Sequence, residues 1–117
     1  MGVPGVISDP VDKPLFQLVY ESRSNQAFTE EEITRLLDHS REKNRKSGIT
    51  GILMYRQGVF TQVLEGEESL VRQLFERIAQ DPRHREVEIR LAETIQERSF
   101  PNWSMGYSRR DLKDLLR

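Results

Sequence analysis

A phenol and two carboxamides stand in this chain where the hydrophobic pattern asks for apolar side chains. Phe16, Leu18 and Tyr20 alternate along one short run, so Tyr20 projects to the same side as the two hydrophobes. Phe60, Gln62 and Leu64 do the same in another run, which puts the Gln62 amide where the core should be. Ile33, Leu37, Ser40 and Asn44 follow the i, i+4, i+7, i+11 spacing of one helical stripe, and Asn44 therefore faces inward. A buried amide left without partners costs about 1–3 kcal/mol, so each of these groups needs one. Singly, each has an ordinary explanation. A strand tyrosine packs its ring and lets its hydroxyl reach water, a helix-end asparagine caps, and an inward glutamine adds specificity. Three together on adjacent elements point to a polar, planar ligand between helix stripes and sheet, its edge read by hydrogen bonds.

Other chemistries find little support. No GxGxxG or GxxxxGK[ST] loop is present, so neither common phosphate cradle is available. Glu67 and Glu68 stand at the opening of the second helix, where they disfavour an anion. His39 and His84 are the only histidines and have no metal-site spacing, so no metal is expected. No serine or threonine sits in a nucleophile elbow. The chain has no cysteine, which excludes disulfides and thiolate chemistry and agrees with a reducing cytoplasm. Its 18 basic and 19 acidic residues give a net charge of -1, so no global field recruits nucleic acid or anionic lipid. No apolar run approaches the roughly 18 residues needed to cross a bilayer. The expectation is a binding or signalling domain and not an enzyme.

The elements that must position these residues are readable in outline. Residues 1–14, with Pro4, Pro10 and Pro14, form a flexible leader without signal-peptide order. Residues 15–108 form one domain, and 109–117 begin a C-terminal helix or a linker, with Leu112, Leu115 and Leu116 at helical spacing. Leu15 to Tyr20 reads as a strand. Thr29 to Glu32 open a helix that ends before Gly48. Ile49 to Tyr55 and Val59 to Glu65 are strands joined by Arg56-Gln57-Gly58. Gly66 to Glu68 open a second helix with the stripe Val71, Leu74, Phe75 and Ile78, stopped by Asp81-Pro82. Val87 to Leu91 alternates as a half-buried strand, and a loop from Asn102 enters a short edge strand. The class is α+β: a ferredoxin-like β-α-β-β-α-β order with an extra strand, making a five-stranded sheet with two helices on one face and a short C-terminal helix. That fold serves many functions and names none.

The same residues carry a family likeness. Leu18-Val19-Tyr20-x-Ser22, Asn44 followed by Gly48-Ile49-Thr50-Gly51, Gly58-x-Phe60-x-Gln62-x-Leu64-Glu65-Gly66, Asp81-Pro82-Arg83-His84, and Arg98-x-Phe100-Pro101-x-Trp103-Ser104-Met105 occur in order over nearly the whole domain. In these blocks the chain resembles the BLUF family of blue-light sensors using flavin. The resemblance implies a non-covalently bound isoalloxazine ring between the two helices, lined by Ile33, Leu36, Leu37 and Ser40, with Leu74 and Ile78 as candidates opposite. It implies that Tyr20 donates an electron and a proton to photoexcited flavin. Gln62 would be the switch, because a carboxamide has a donor end and an acceptor end and reversing it reverses both offers. Asn44 would anchor the ring edge, Arg83 and His84 would lie near the outer ring or ribityl chain, and Trp103 and Met105, on the fifth strand, would carry the change outward. The absence of cysteine excludes the cysteinyl-adduct chemistry of the other common flavin sensor, the LOV domain.

One position departs from the family pattern. Lys43 precedes Asn44 where the family generally has Asn or His reaching the ring. It would donate to a ring carbonyl, lay its stem along the ring, or swing to a phosphate. Equally, it is a helix-end lysine left in water. The resemblance favours FAD, with FMN or riboflavin as alternatives. It also implies a partner protein or output domain, such as a nucleotide cyclase or cyclic dinucleotide phosphodiesterase, and a homodimer as one mode of assembly. Two rivals remain at this stage: a ferredoxin-like interaction module without photochemistry, and a flavin redox enzyme.

Overall fold

The structure, a computed structural model, describes residues 14–108. The expected leader, apart from Pro14, and the expected terminal helix at 109–117 lie outside the described residues. The elements are β1 (Leu15–Ser24), α1 (Glu30–Ser47), β2 (Thr50–Arg56), β3 (Val59–Glu67), α2 (Glu68–Ala79), β4 (His84–Ile95) and β5 (Gly106–Ser108). They form one five-stranded sheet in the order β4-β1-β3-β2-β5. β3 runs antiparallel to both β1 and β2, and β5 is parallel to β2, so the sheet is mixed. Both helices pack on one face of it. Ile33 and Leu37 of α1 and Val71 of α2 share a single core with Phe16, Leu18, Tyr20, Leu53, Phe60 and Leu64 of the sheet.

Local chemistry explains where these elements begin and turn. Thr29 Oγ1 accepts the Glu32 N–H at 3.1 Å, and Glu32 Oε1 accepts the Thr29 N–H at 3.0 Å, closing a capping box at the head of α1. That backbone bond to Thr29 is the main reason the Glu32 carboxyl lies below its ordinary pKa. Thr29→Ala is therefore expected to lower stability by about 1 kcal/mol, read as a lower denaturant midpoint at unchanged slope. At the other end Gly48 takes a left-handed φ of 67°, and the N–H groups of Gly48 and Ile49 return to the carbonyls of Arg45 and Asn44. This is a Schellman closure, and it fixes the backbone of Asn44. Between β2 and β3, Gln57 and Gly58 both have positive φ, 51° and 78°. Two such residues make the turn whose twist matches a hairpin, and its register sets Gln62 opposite Leu53.

Several boundaries differ from the sequence expectation. β1 continues to Ser24 and β4 spans His84–Ile95, because the two pair along their length through register shifts near Val19/Tyr20 and Glu21/Arg23. Glu86, at φ 53°, lies in β4 close to the second shift. β3 continues through Gly66 to Glu67, so α2 starts only at Glu68. Gly66 stays in the ladder opposite Phe16 instead of opening the helix. Among the described residues no helix is long and apolar enough to cross a membrane.

Candidate functional site

A cleft of about 940 Å³, part of it open to solvent, separates the two helices above the sheet. Its walls are largely apolar. Leu36 and Leu37 come from α1, Leu74 and Ile78 from α2, Leu53 and Phe60 from the sheet, and Phe28 from the segment before α1. The helical stripes put the first four there, and the hairpin register brings Leu53 and Phe60 beneath them.

At the inner end three side chains form one hydrogen-bonded row. Tyr20 and Gln62 are opposite one another in the β1–β3 register, and the Tyr20 hydroxyl donates to Gln62 Oε1 at 2.6 Å. Gln62 Nε2 in turn donates to Met105 Sδ at 3.3 Å. All three residues are buried. The amide is thus held firmly at its oxygen and weakly at its nitrogen, since a thioether is a poor acceptor. The Tyr20 ring packs against Phe75 at 5.5 Å between centroids, with His84 edge-on at 6.3 Å. Burial, reinforced by the nearby Asp81 carboxylate, pushes the Tyr20 phenol well above its ordinary pKa. The hydroxyl therefore keeps its proton.

The segment before β5 is fastened by α1 and β2. Arg41 Nε donates to the Met105 carbonyl at 2.8 Å, Asn44 Nδ2 to the Ser104 carbonyl at 2.8 Å, and the Gly51 N–H to the Trp103 carbonyl at 2.9 Å. Met105 points inward at 2% exposure, whereas Trp103 points outward at 46%. The Trp103 ring stacks on Phe100 at 5.7 Å and lies over Gly106, where a Cβ would come within 2.5 Å of the indole. Both residues precede the fifth strand, whereas the family resemblance placed them on it. Side chains of α1 take the Ser104 and Met105 carbonyls, so the ladder with β2 starts at Gly106.

The mouth is polar. Lys43 and His39 from α1 face Arg77 from α2, with Asp81, Arg83 and His84 alongside. Arg83 is committed to Asp81, its Nε lying 2.9 and 3.2 Å from the two carboxylate oxygens. That contact holds the Asp81 carboxyl down at about 2. His84 meets Ser22 Oγ at 2.7 Å through Nδ1 and the Ile78 carbonyl at 2.6 Å through Nε2. A carbonyl only accepts, so Nε2 carries the proton. Ser40 bonds back to the Leu36 carbonyl at 2.9 Å.

Of the residues singled out from sequence, Tyr20, Gln62, Met105, Leu36, Leu37, Ser40, Lys43, Leu74, Ile78, Arg83 and His84 line the cleft. Ile33 and Asn44 are buried but not among its lining residues, and Trp103 lies outside it. Sequence reasoning missed Phe28, His39, Leu53, Arg77 and Asp81 as lining residues. Arg77 stands three residues after Leu74 on the same helical face, a usable signal. Phe28, outside any regular element, gave none, and Asp81 was read only as a helix stop and a member of a family block. A planar ring with an amide edge fits this arrangement. The leucines and Phe60 would cover its faces, the Tyr20–Gln62 pair would meet its edge, and the cations at the mouth suit an anionic tail.

Comparison with known proteins agrees. The family model described as BLUF, sensors of blue-light using FAD, matches residues 15–106. Photoactivated adenylate cyclase subunit beta of Euglena longa is 33% identical over 100 residues, which are 85% of this chain and 12% of that protein. The dark-state structure of the BLUF protein BlrB superposes with a TM-score of 0.78 at 40% identity, covering 84% of this chain and 74% of BlrB. Klebsiella pneumoniae BlrP1, solved with FMN and cyclic diGMP, gives 0.75 at 34% identity over 81% of this chain and 26% of its own. The chain thus spans about an eighth of the length of the first curated relative. Across the span of that match the two-helix cleft and its buried tyrosine–glutamine pair lie within the region shared with these sensors, and the chain belongs to the BLUF family of flavin-binding blue-light sensor domains.

Proposed function

We propose that Gln62 is the light-operated switch of this sensor, with Tyr20 as the electron and proton donor and Met105 as the first residue to register the change. The observation that carries this reading is the Tyr20–Gln62–Met105 row. When bound, the flavin supplies a chromophore that becomes a strong oxidant under blue light. The 2.6 Å Tyr20–Gln62 bond gives the phenol a partner for its proton as its electron leaves. Turning the Gln62 amide over presents Nε2 to the Tyr20 oxygen and sets Oε1 against Met105 Sδ. Two acceptors then face each other, so Met105 loses its donor and the segment carrying Trp103 loses one of the contacts that hold it. This is a two-state element whose populations light shifts through differential contacts.

Asn44 is the proposed anchor of the ring edge, acting from α1 while its Nδ2 holds Ser104. Ile33, Leu36, Leu37 and Ser40 support the ring from the same helix. Lys43, together with Arg77 across the mouth, would meet the phosphate end, and Arg83 and His84 would frame the ribityl side. FAD is the proposed form, following the family's description, with FMN as in the BlrP1 structure the alternative. Residues 15–108 are the proposed photosensor, with 1–14 a leader and 109–117 a connection to a partner or output domain. One relative is named a photoactivated adenylate cyclase subunit and BlrP1 is solved with cyclic diGMP, so a nucleotide cyclase or cyclic dinucleotide phosphodiesterase is the proposed effector. A homodimer is the proposed assembly, and the absence of cysteine suits a cytoplasmic setting. The test is the visible absorption spectrum of purified protein in darkness and after blue light. A flavin band that shifts slightly to the red and recovers in the dark is expected. A band that bleaches or stays fixed would count against the switch.

A further inference from the structure

Among the described residues, Glu65 is the only buried charged side chain, at 0% exposure. It lies three residues beyond Gln62 on β3 and so projects from the opposite face of the sheet. Three N–H donors converge on its two oxygens. Oε2 accepts from Gln17 Nε2 and from the Ser99 backbone, both at 2.8 Å, and Oε1 accepts from the Phe100 backbone at 2.9 Å. Arg98 adds a bond to the Glu65 carbonyl at 3.2 Å and one to Thr50 Oγ1 at 2.8 Å.

The chain from Ser99 to Met105 is therefore tied to β3 at both ends, on the two faces of the sheet, and between them Gly51, Asn44 and Arg41 hold the Trp103, Ser104 and Met105 carbonyls. The Ser99–Phe100 end is held by a carboxylate side chain taking backbone N–H groups, the stronger kind of hydrogen bond. The Met105 end meets Gln62 through an amide-to-thioether contact, one of the weaker kinds. Trp103 lies between them, its N–H 3.4 Å from the Phe100 carbonyl and its ring stacked on Phe100.

We propose that Glu65 is a positioning residue: it pins Ser99 and Phe100 to β3, so that a change at Gln62 becomes a swing of Trp103–Met105 about Phe100. The proposal rests on the switch assigned to Gln62. Without the pin, Met105 would lose contact with Gln62 as before, but Phe100 would be free to follow Trp103 and the two rings would keep their stack.

Glu65→Gln tests this at nearly constant volume, because an NH2 then faces N–H donors and at least one bond to the segment or to Gln17 is lost. Trp103 is the only tryptophan, so its emission, excited beyond the tyrosine band, reports this segment. In the unmodified protein both the flavin red shift and a light-induced Trp103 signal are expected. In Glu65→Gln the red shift should remain while the Trp103 signal is lost. The Ser99 and Phe100 amides should also exchange with solvent on the order of tenfold faster in darkness. A purely structural role would lower the melting temperature and leave the ratio of Trp103 signal to red shift unchanged, and that outcome overturns the proposal. Should the variant not fold, site-resolved exchange on the unmodified protein decides. Ser99 and Phe100 must stay equally protected in dark and light while Trp103–Gly106 change; deprotection of all alike overturns the anchor. Loss of the red shift in the unmodified protein would instead sink the Gln62 assignment beneath it.

Discussion

Gln62→Leu is expected to bind flavin normally and to show no light-induced red shift at all. Leucine approximates the volume of glutamine and suits a site walled by Leu53 and Phe60, so the cleft keeps its shape. Both hydrogen-bonding ends disappear together, and no rotation of a leucine can offer a donor where an acceptor stood. The buried Tyr20 hydroxyl loses its hydrogen bond to Gln62, which costs about 1–3 kcal/mol in stability. A yellow but spectrally silent protein with a somewhat lower melting temperature fits the account. A shift of normal size in this variant would remove Gln62 from its role.

Tyr20→Phe carries the second large effect. The ring remains packed against Phe75 and edge-on to His84, so flavin binding and fold should survive. What is lost is the proton that the hydroxyl shares with Gln62 Oε1 at 2.6 Å, and with it a phenol that burial keeps protonated. The variant should stay in its dark spectrum under illumination that fully converts the unmodified protein. The check is the dark-minus-light difference spectrum under matched photon dose, and unimpaired photocycling would show that the electron comes from elsewhere.

Much of this architecture was legible because its hydrophobic periodicities are local. Tyr20, Gln62 and Asn44 stood out as polar members of apolar stripes, and all three are buried. The capping residues Thr29 and Gly48 marked α1, since both satisfy helix-end groups from nearby in the chain. β4 was seen only at its centre. It is an edge strand whose outer positions are solvent-facing and whose pairing with β1 includes register shifts, so alternation fails at both ends. Glu65 was invisible for a related reason. Thr61, Val63 and Glu65 alternate on the face away from the helices, and a glutamate there reads as exposed. Only the return of Ser99 and Phe100, more than thirty residues later, buries it. The mouth of the cleft was half legible for the same cause, because Phe28 and Asp81 reach it from connecting segments whose placement depends on tertiary contacts.

The central claim is that light changes what Gln62 donates to and accepts from. The most direct measurement is the side-chain amide resonance of Gln62 in protein labelled with 15N at glutamine, recorded in darkness and under blue light. The signal is assigned by its absence from Gln62→Leu. Both amide protons should shift on illumination and return in darkness with the same time course as the flavin absorption, since their dark partner is the Met105 thioether. A Gln62 amide whose resonances stay fixed while the flavin band shifts would contradict the account.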